Sequence, residues 1–399
     1  MNTLHPADRL AFDRAVVTEP VWNRFTTARD AFGLAPNVLL HAGPAFAEVD
    51  HITQPILNSA CVAAVYERLA ADFARAEAMI RAGEIVLKPA QDHGVVTPLA
   101  AVVGASMPLH AVYDAHRGKV RVYAPINGGG RPSLRLGLRS QAVLDHIRWL
   151  NTRFRDVLAA GIGEGIALVP LAAIGMAGGD DCHGRTPVAG KALSDEIEER
   201  TRGGIQDAEA RAFLHASPSL FLNLWMAGTK CLMRAAEGIE GSSLITAAGG
   251  NGREIGIQVS GAPGTWVTAP AAAPVGKFDV DVPSDRALGA IGDSAVVEGF
   301  GLGAMAIHLS PGQHDALGAF LPADMPTRRS VLPIGPHPVF GRLDLNLGLA
   351  ARHMQQANAG AVIGLGIIDR DGEKGRLGGG IYDMPVALAQ KALALLPAD

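Results

Sequence analysis

The sequence predicts an α/β (α+β) protein: two glycine-rich α/β regions with a mostly helical middle region. Three observations carry this. Apolar residues recur at helical spacing through the middle of the chain. Short strand-like runs bounded by glycine and proline occupy both ends. The 48 glycines and 25 prolines among 399 residues demand many tight turns. A chain of this length favours about two or three domains. We divide it at 1–140 (an N-terminal α/β region with a helical arm), 141–240 (mostly helical) and 241–399 (a C-terminal α/β region).

Taken in order, residues 1–35 read as a helical arm with polar breaks. NVLLHAGPAFA, 37–47, reads as a short strand ending in a Gly-Pro turn. Residues 61–82 read as one helix, with Val65, Leu69, Phe73, Ala76 and Ile80 on one face and Gly83 as the stop. A strand at 84–88 follows, then the loop PAQDHGVVTP. Runs at 106–113 and 120–126, joined through Gly118-Lys119, read as a hairpin. Ser140 caps a helix whose stripe is Val143, Leu144, Ile147, Leu150, Phe154, Val157 and Leu158. Helices follow at 188–200 and 219–236. Past Gly238, SLITAA, REIGIQVS and TWVTAP return to strand texture, with Asn251-Gly252 as a hairpin signal. AVIGLGIID and GRLGGGIYD are further strands before a terminal helix at 385–396.

Composition excludes several classes. The net charge of −4, without a long run of one sign, gives no nucleic-acid footprint. Cys61, Cys182 and Cys231 have no paired spacing, which argues against a disulfide framework or structural zinc. The opening MNTLHPADRLAFDRA lacks a signal-peptide core, and no run reaches the ~18 apolar residues of a membrane span. The expectation is a soluble cytoplasmic protein. Gly-x-Ser-x-Gly and His-Glu-x-x-His are absent, as are Walker and dinucleotide loops.

Polar clusters interrupt the apolar texture. GGDDCHGR puts Asp180, Asp181, Cys182, His183 and Arg185 together. It reads either as an acid/base and anion site or as a helix cap with a paired arginine. NGGGRPSLRLG combines glycines, whose N–H groups can approach an anion, with Arg131 and Arg135; the alternative is a loose turn. In GGNGREIG the hairpin accounts for Asn251, leaving Arg253 open. Asp293 and Ser294 precede a helix-like run, where capping and anion binding share one geometry. His93 reads first as a structural hydrogen-bonder. Lys230, on an apolar helix, must be paired, functional or snorkelling.

In the same order, LLHAGPAF, GEIVLKPAQDHGVVTP, NGGGRPSLRLG, GMAGGDDCHGRTPVA, MAGTK, NGREIGIQVSG, IGDSAVVEGFGLG and GRLGGGIYDMP resemble one family. It is the large-subunit family of bacterial oxamate carbamoyltransferase, the AllG/YlbE-like proteins, and the resemblance runs from about residue 38 to the end. It implies exchange of oxalurate plus phosphate with oxamate plus carbamoyl phosphate. It also implies two further subunits, one resembling a succinyl-CoA synthetase chain; a homo-oligomer is open. The chain departs from the family at Gln91-Asp92-His93, where a His-rich run is usual. It departs again at Asn127-Gly128-Gly129, where an acidic loop is usual, and Asp181 stands for a Glu.

Such chemistry needs anion holders and a proton donor for the departing nitrogen. We therefore expect His183 as acid/base, oriented by Asp181, with His93 as second choice. Arg185, Arg135 and Arg253 are the expected anion holders, and Asn251, Asp293, Ser294 and Lys230 complete the candidate binding set. No cofactor is expected, with a divalent ion such as Mg left open. The competing readings are a ureide or amide hydrolase and a non-catalytic scaffold subunit.

Overall fold

A computed structural model describes residues 4–118, 120–130 and 132–397; Lys119 and Arg131 lie outside the described residues. Helices take 42% and strands 21%, in several small sheets, so the chain is a mixed α/β protein. The first sheet has four strands in the order Arg121–Pro125, Pro108–Asp114, Pro20–Thr27, Ile166–Ala167, all antiparallel. Val38–His41 and Val86–Pro89 pair in parallel beside it. A second four-stranded sheet runs Ile291–Gly292, Ile245–Asn251, Glu254–Val259, Val267–Pro270. The glycine-rich strands Val362–Ile368 and Arg376–Asp383 form a third sheet with Val275–Phe278.

The helix Pro218–Ala235 joins these layers. Its sequence is apolar nearly all round, so it is buried along most of its length. It packs on the first sheet, on the helix Pro187–Arg200 and on the strand Ile245–Asn251. One hydrophobic core consequently runs from Phe12 through Trp225 to Leu388. A second core gathers on the helix Gln54–Tyr66.

Several expectations hold in detail. Ser140 Oγ accepts from Val143 N at 3.3 Å, and the stripe below it continues through Gln141–Trp149, a π-turn and Arg155–Ile162. The 106–126 hairpin and the Asn251-Gly252 turn both form. Others are corrected. The helical arm is two short helices, Pro6–Val16 and Ala28–Phe32, and between them Pro20–Thr27 is an inner strand, as suits its Val21, Trp22, Phe25 and Thr26. The helix expected at 61–82 is two, Gln54–Tyr66 and Phe73–Arg81. Between them Arg68 takes φ +61°, the Glu67 carboxylate accepts from Ser106 N at 2.8 Å, and Asp72 caps Arg75 N at 2.8 Å. Leu168–Ala177 and Ala208–His215 are helices the sequence reading passed over. Among the described residues no helix is long and apolar enough to cross a membrane.

Candidate active site

The DDCHGR loop is held by its own carboxylates. Asp180 Oδ2 accepts from Ala189 N at 2.8 Å and so caps the helix Pro187–Arg200. Asp181 Oδ1 accepts from His183 N at 2.9 Å and Arg185 N at 2.8 Å. Burial raises both carboxyls above their ordinary value, against the pull of these N–H groups. Next to them Cys182 is fully buried at φ +57°, its Sγ turned to the Ala172 carbonyl. The next side chain, His183, turns to Glu298.

His183 Nδ1 donates to Glu298 Oε1 in a short hydrogen bond. Both residues are buried. Glu298 Oε1 also accepts from Gly364 N at 3.1 Å. Gly303, at φ +61°, permits this contact: a Cβ there would lie 2.3 Å from Glu298 Oε1 and 2.9 Å from the His183 Cβ. Burial alone would lower the imidazole, but the Glu298 carboxylate overrides it and His183 sits above its ordinary value. With Nδ1 engaged, Nε2 is the nitrogen left to the cavity.

His183 lines a cleft of about 540 Å³ between the start of the Pro218–Ala235 helix and the glycine-rich third sheet. Gly364, Gly366 and Gly379 form part of its wall, so bare backbone leaves the volume open. Three cations face it: Arg135, Arg376 and Lys277. Arg376 pairs with Asp279 at 2.6 Å. Among the described residues Arg135 has only neutral partners: Asn127 Oδ1 and Ser133 Oγ at 2.9 Å and the Gly129 and Gly128 carbonyls at 2.7 and 3.4 Å. Burial, and then the neighbouring Arg376, lower it to about 10. A guanidinium in partial burial without a carboxylate favours an anion from outside. Leu99, at φ +46°, adds a strained position to the wall. Asp279 and Asp315 are the lining carboxylates a divalent ion would meet; among the described residues no three His, Cys, Asp or Glu side chains gather as a metal set.

Of the expected residues, the cleft brings together His183, Arg135 and Ser294. Arg185 lines a smaller cavity that shares His183. The expected role of Asp181 is corrected, because it holds backbone N–H groups while Glu298 holds the imidazole. His93 lies elsewhere, stacked on Phe32 at 5.5 Å. Asn251 is an internal tie: Nδ2 donates to the Pro44 carbonyl at 2.9 Å and Oδ1 accepts from Arg253 N and Glu254 N. The Arg253 side chain is exposed beyond that turn and does not line the cleft. Asp293 is no cap. Its carboxylate is buried and accepts from Gly43 N at 2.9 Å, Gln91 Nε2 at 2.7 Å, Thr97 N at 2.9 Å and Thr97 Oγ1 at 3.1 Å. The helix behind it, Ala295–Gly299, is one short turn. Lys230 does not snorkel; its Nζ donates inward to the Thr246 carbonyl at 2.7 Å and to Glu237 Oε1 at 3.1 Å.

Sequence reasoning missed Glu298, Arg376, Lys277 and Asn223. Glu298 had a signal, as the lone acid in AVVEGFGLG. Asn223, in LFLNLW, had the same kind. It lines the cleft with Nδ2 donating to the Pro125 carbonyl and a buried Oδ1 that has no partner. Arg376 and Lys277 had none.

Comparison with known proteins agrees with this fold and its sequence pattern. The family model described as "Oxamate carbamoyltransferase subunit AllG" matches residues 85–294. The oxamate carbamoyltransferase subunit AllG of Escherichia coli (strain K12) is 31% identical over 379 residues, covering 90% of this chain and 88% of that protein. The uncharacterized protein YahG of the same strain is 30% identical over 404 residues, covering 97% and 84%. A crystal structure of a conserved Enterococcus faecalis V583 protein shares the fold, with a TM-score of 0.88 at 24% identity over 98% of this chain and 96% of that one. The chain belongs to the AllG family of oxamate carbamoyltransferase subunits.

Proposed function

We propose that this chain is the carbamoyltransferase subunit that carries the substrate cleft, and that it exchanges oxalurate and phosphate with oxamate and carbamoyl phosphate. It acts in the cytoplasm with further subunits, two by resemblance, one of them succinyl-CoA-synthetase-like. The observation that carries the reading is a buried acid/base pair, His183–Glu298, opening onto a cleft where Arg135 has no carboxylate partner among the described residues. The substrate carboxylate lies among Arg135, Arg376 and Lys277, where a guanidinium grips it through two hydrogen bonds. A phosphate oxygen then bonds to the carbamoyl carbon and the carbon–nitrogen bond breaks. The departing nitrogen takes a proton from His183 Nε2, which regains one from hydrogen phosphate, so oxamate and carbamoyl phosphate leave with charge and protons balanced. Glu298 keeps the imidazole in place and steadies its charged form.

The test is an assay of oxamate and carbamoyl phosphate formed from oxalurate by the full chain, alone and with its neighbouring subunits. Turnover is expected to require phosphate. His183→Ala is expected to cut it by ~10²–10⁴-fold, the usual worth of a positioned acid/base. Oxamate release without phosphate would replace the transferase with a hydrolase. Near-normal turnover in His183→Ala would remove the role of that side chain.

A further inference from the structure

Two cavities meet at His183. Beside the cleft, a second cavity of about 390 Å³ opens across the His183–Gly184 turn. The two share His183, Gly184, Ser219 and Leu222 in their walls. Their charge differs. The cleft carries Asp279 and Asp315 beside its cations, whereas no Asp or Glu lines the second cavity and Arg185 is its charged lining residue. Arg185 makes no ion pair or side-chain hydrogen bond among the described residues.

The helix Pro218–Ala235, 18 residues long, begins in this second cavity. Its first turn is left open. Ser217 Oγ is occupied by Gly129 N at 3.1 Å and does not cap, Pro218 has no N–H, and Leu220 N turns back to the Ser217 carbonyl at 2.9 Å. The Ser219 N–H is therefore a helix-start donor with no partner among the described residues. The neighbouring helix Pro187–Arg200 is different, because Asp180 already fills its start. Thr186 Oγ1 donates to the Pro218 carbonyl at 3.0 Å and fixes the two starts side by side. An independent group completes the set: His183 is 6% exposed, lines the cavity, and has Nε2 without a partner once Nδ1 meets Glu298.

We infer that this second cavity is a phosphate subsite, taking inorganic phosphate or the phosphoryl end of carbamoyl phosphate on Arg185, the Ser219 N–H and His183 Nε2. A guanidinium and an open helix start both favour a compact oxyanion, and the nearby Asp180 and Asp181 carboxylates are engaged by backbone N–H groups and do not line the cavity. His183 then borders both ligands where the two cavities meet, with phosphate in the second cavity and the ureide in the cleft. The chemistry rests on the carbamoyltransferase reading; the binding of phosphate does not.

The experiment titrates inorganic phosphate, and separately oxamate, into the full chain by calorimetry. Arg185→Gln is expected to raise the phosphate Kd about tenfold or more, the loss of one charge-assisted pair, with the oxamate Kd within about twofold. Arg376→Gln is expected to do the reverse. Ser219→Asp puts a carboxylate at the helix start, which favours the helix and blocks the anion, so phosphate binding is expected to vanish without loss of thermal stability. Phosphate Kd unchanged in Arg185→Gln and Ser219→Asp, no heat with millimolar phosphate, or competition between phosphate and oxamate for one site would each overturn the inference. Phosphate bound through Arg185 with no binding of oxamate would leave this subsite standing and remove the oxamate reading instead.

Discussion

Arg135 and Arg328 are both drawn into the protein, and they end differently. Arg328 is saturated: Nε meets Asp324 at 3.0 Å, Nη1 and Nη2 meet Asp383 at 2.5 and 3.1 Å, and Nη1 also reaches the Gly360 carbonyl. Arg286 is similar, with Asp369 taking Nε and Nη2 at 2.9 Å. These guanidiniums tie the C-terminal elements together and have no charge to offer a ligand. Among the described residues Arg135 is bonded only to neutral oxygens at the edge of the cleft. The difference teaches where to look for function in a chain of ordinary net charge. A cation whose partners are neutral still carries a field into the cavity it lines, while a cation enclosed by carboxylates has become part of the scaffold.

The comparison breaks most visibly at Glu298, a buried carboxylate that serves the cleft through His183. Glu298→Gln is expected to lower turnover ~10–100-fold, the usual loss when the group behind a reacting side chain is removed. A pH profile separates this from a packing defect. The Glu298 carboxylate raises His183, so the acid form persists above the ordinary histidine value and activity falls as pH rises through the raised one. Without that carboxylate the alkaline limb of the profile is expected to move to lower pH. A limb that stays in place would assign the titration to another group.

Arg135→Gln sharpens the same contrast. Oxamate affinity is expected to fall ~10–100-fold, the worth of a hydrogen bond to a charged group. Thermal stability is expected to hold or rise, since an uncompensated cation has gone. A destabilised variant with intact affinity would move Arg135 into the class of Arg328.

Asp369→Asn tests the opposite class. Although burial opposes it, the Arg286 guanidinium and three backbone N–H groups hold Asp369 at about 2. A depressed carboxyl adds stability that is present above the ordinary aspartate value and lost as pH falls through the folded one. The shift corresponds to roughly 2 kcal/mol. The variant is expected to lose about that much at neutral pH, to lose the acid-side decline between about pH 4 and 2, and to bind oxamate normally. Denaturant midpoints across pH read the first two, and calorimetry the third.

These contrasts also explain what the sequence displayed. Local signals were legible: Ser140 before an apolar stripe, Asn251-Gly252 between strands, and the ordered family motifs around DDCHGR. What it could not display was convergence. Glu298 is 115 positions from His183, and their meeting depends on how the second and third sheets pack. Arg376 and Lys277 sit on paired strands, at sites no local pattern distinguishes from solvent-facing positions. Asp293 looked like a cap because acids before helices usually are; here Gly43, Gln91 and Thr97, brought in from the N-terminal region, claim its oxygens. Gln91, in the PAQDHGVVTP loop, is accounted for without a ligand by its role as donor to Asp293.

The smallest expected effect belongs to Lys230, the most conspicuous polar residue in the apolar helix. It is 1% exposed, and its ammonium is used up on the Thr246 carbonyl and on Glu237, whose side chain is 25% exposed. Burial lowers Lys230 below its ordinary value, with Glu237 opposing. The native state thus binds its proton less tightly than the unfolded chain, and stability rises with pH through that window. Lys230→Met keeps the stem, leaves Glu237 to water and costs the Thr246 carbonyl one donor. We expect a stability change within about 1–2 kcal/mol, loss of the alkaline rise, and unchanged Kd values for oxamate and phosphate. A folded Lys230→Met variant that bound either ligand poorly would erase the line between the enclosed cations and those of the cleft.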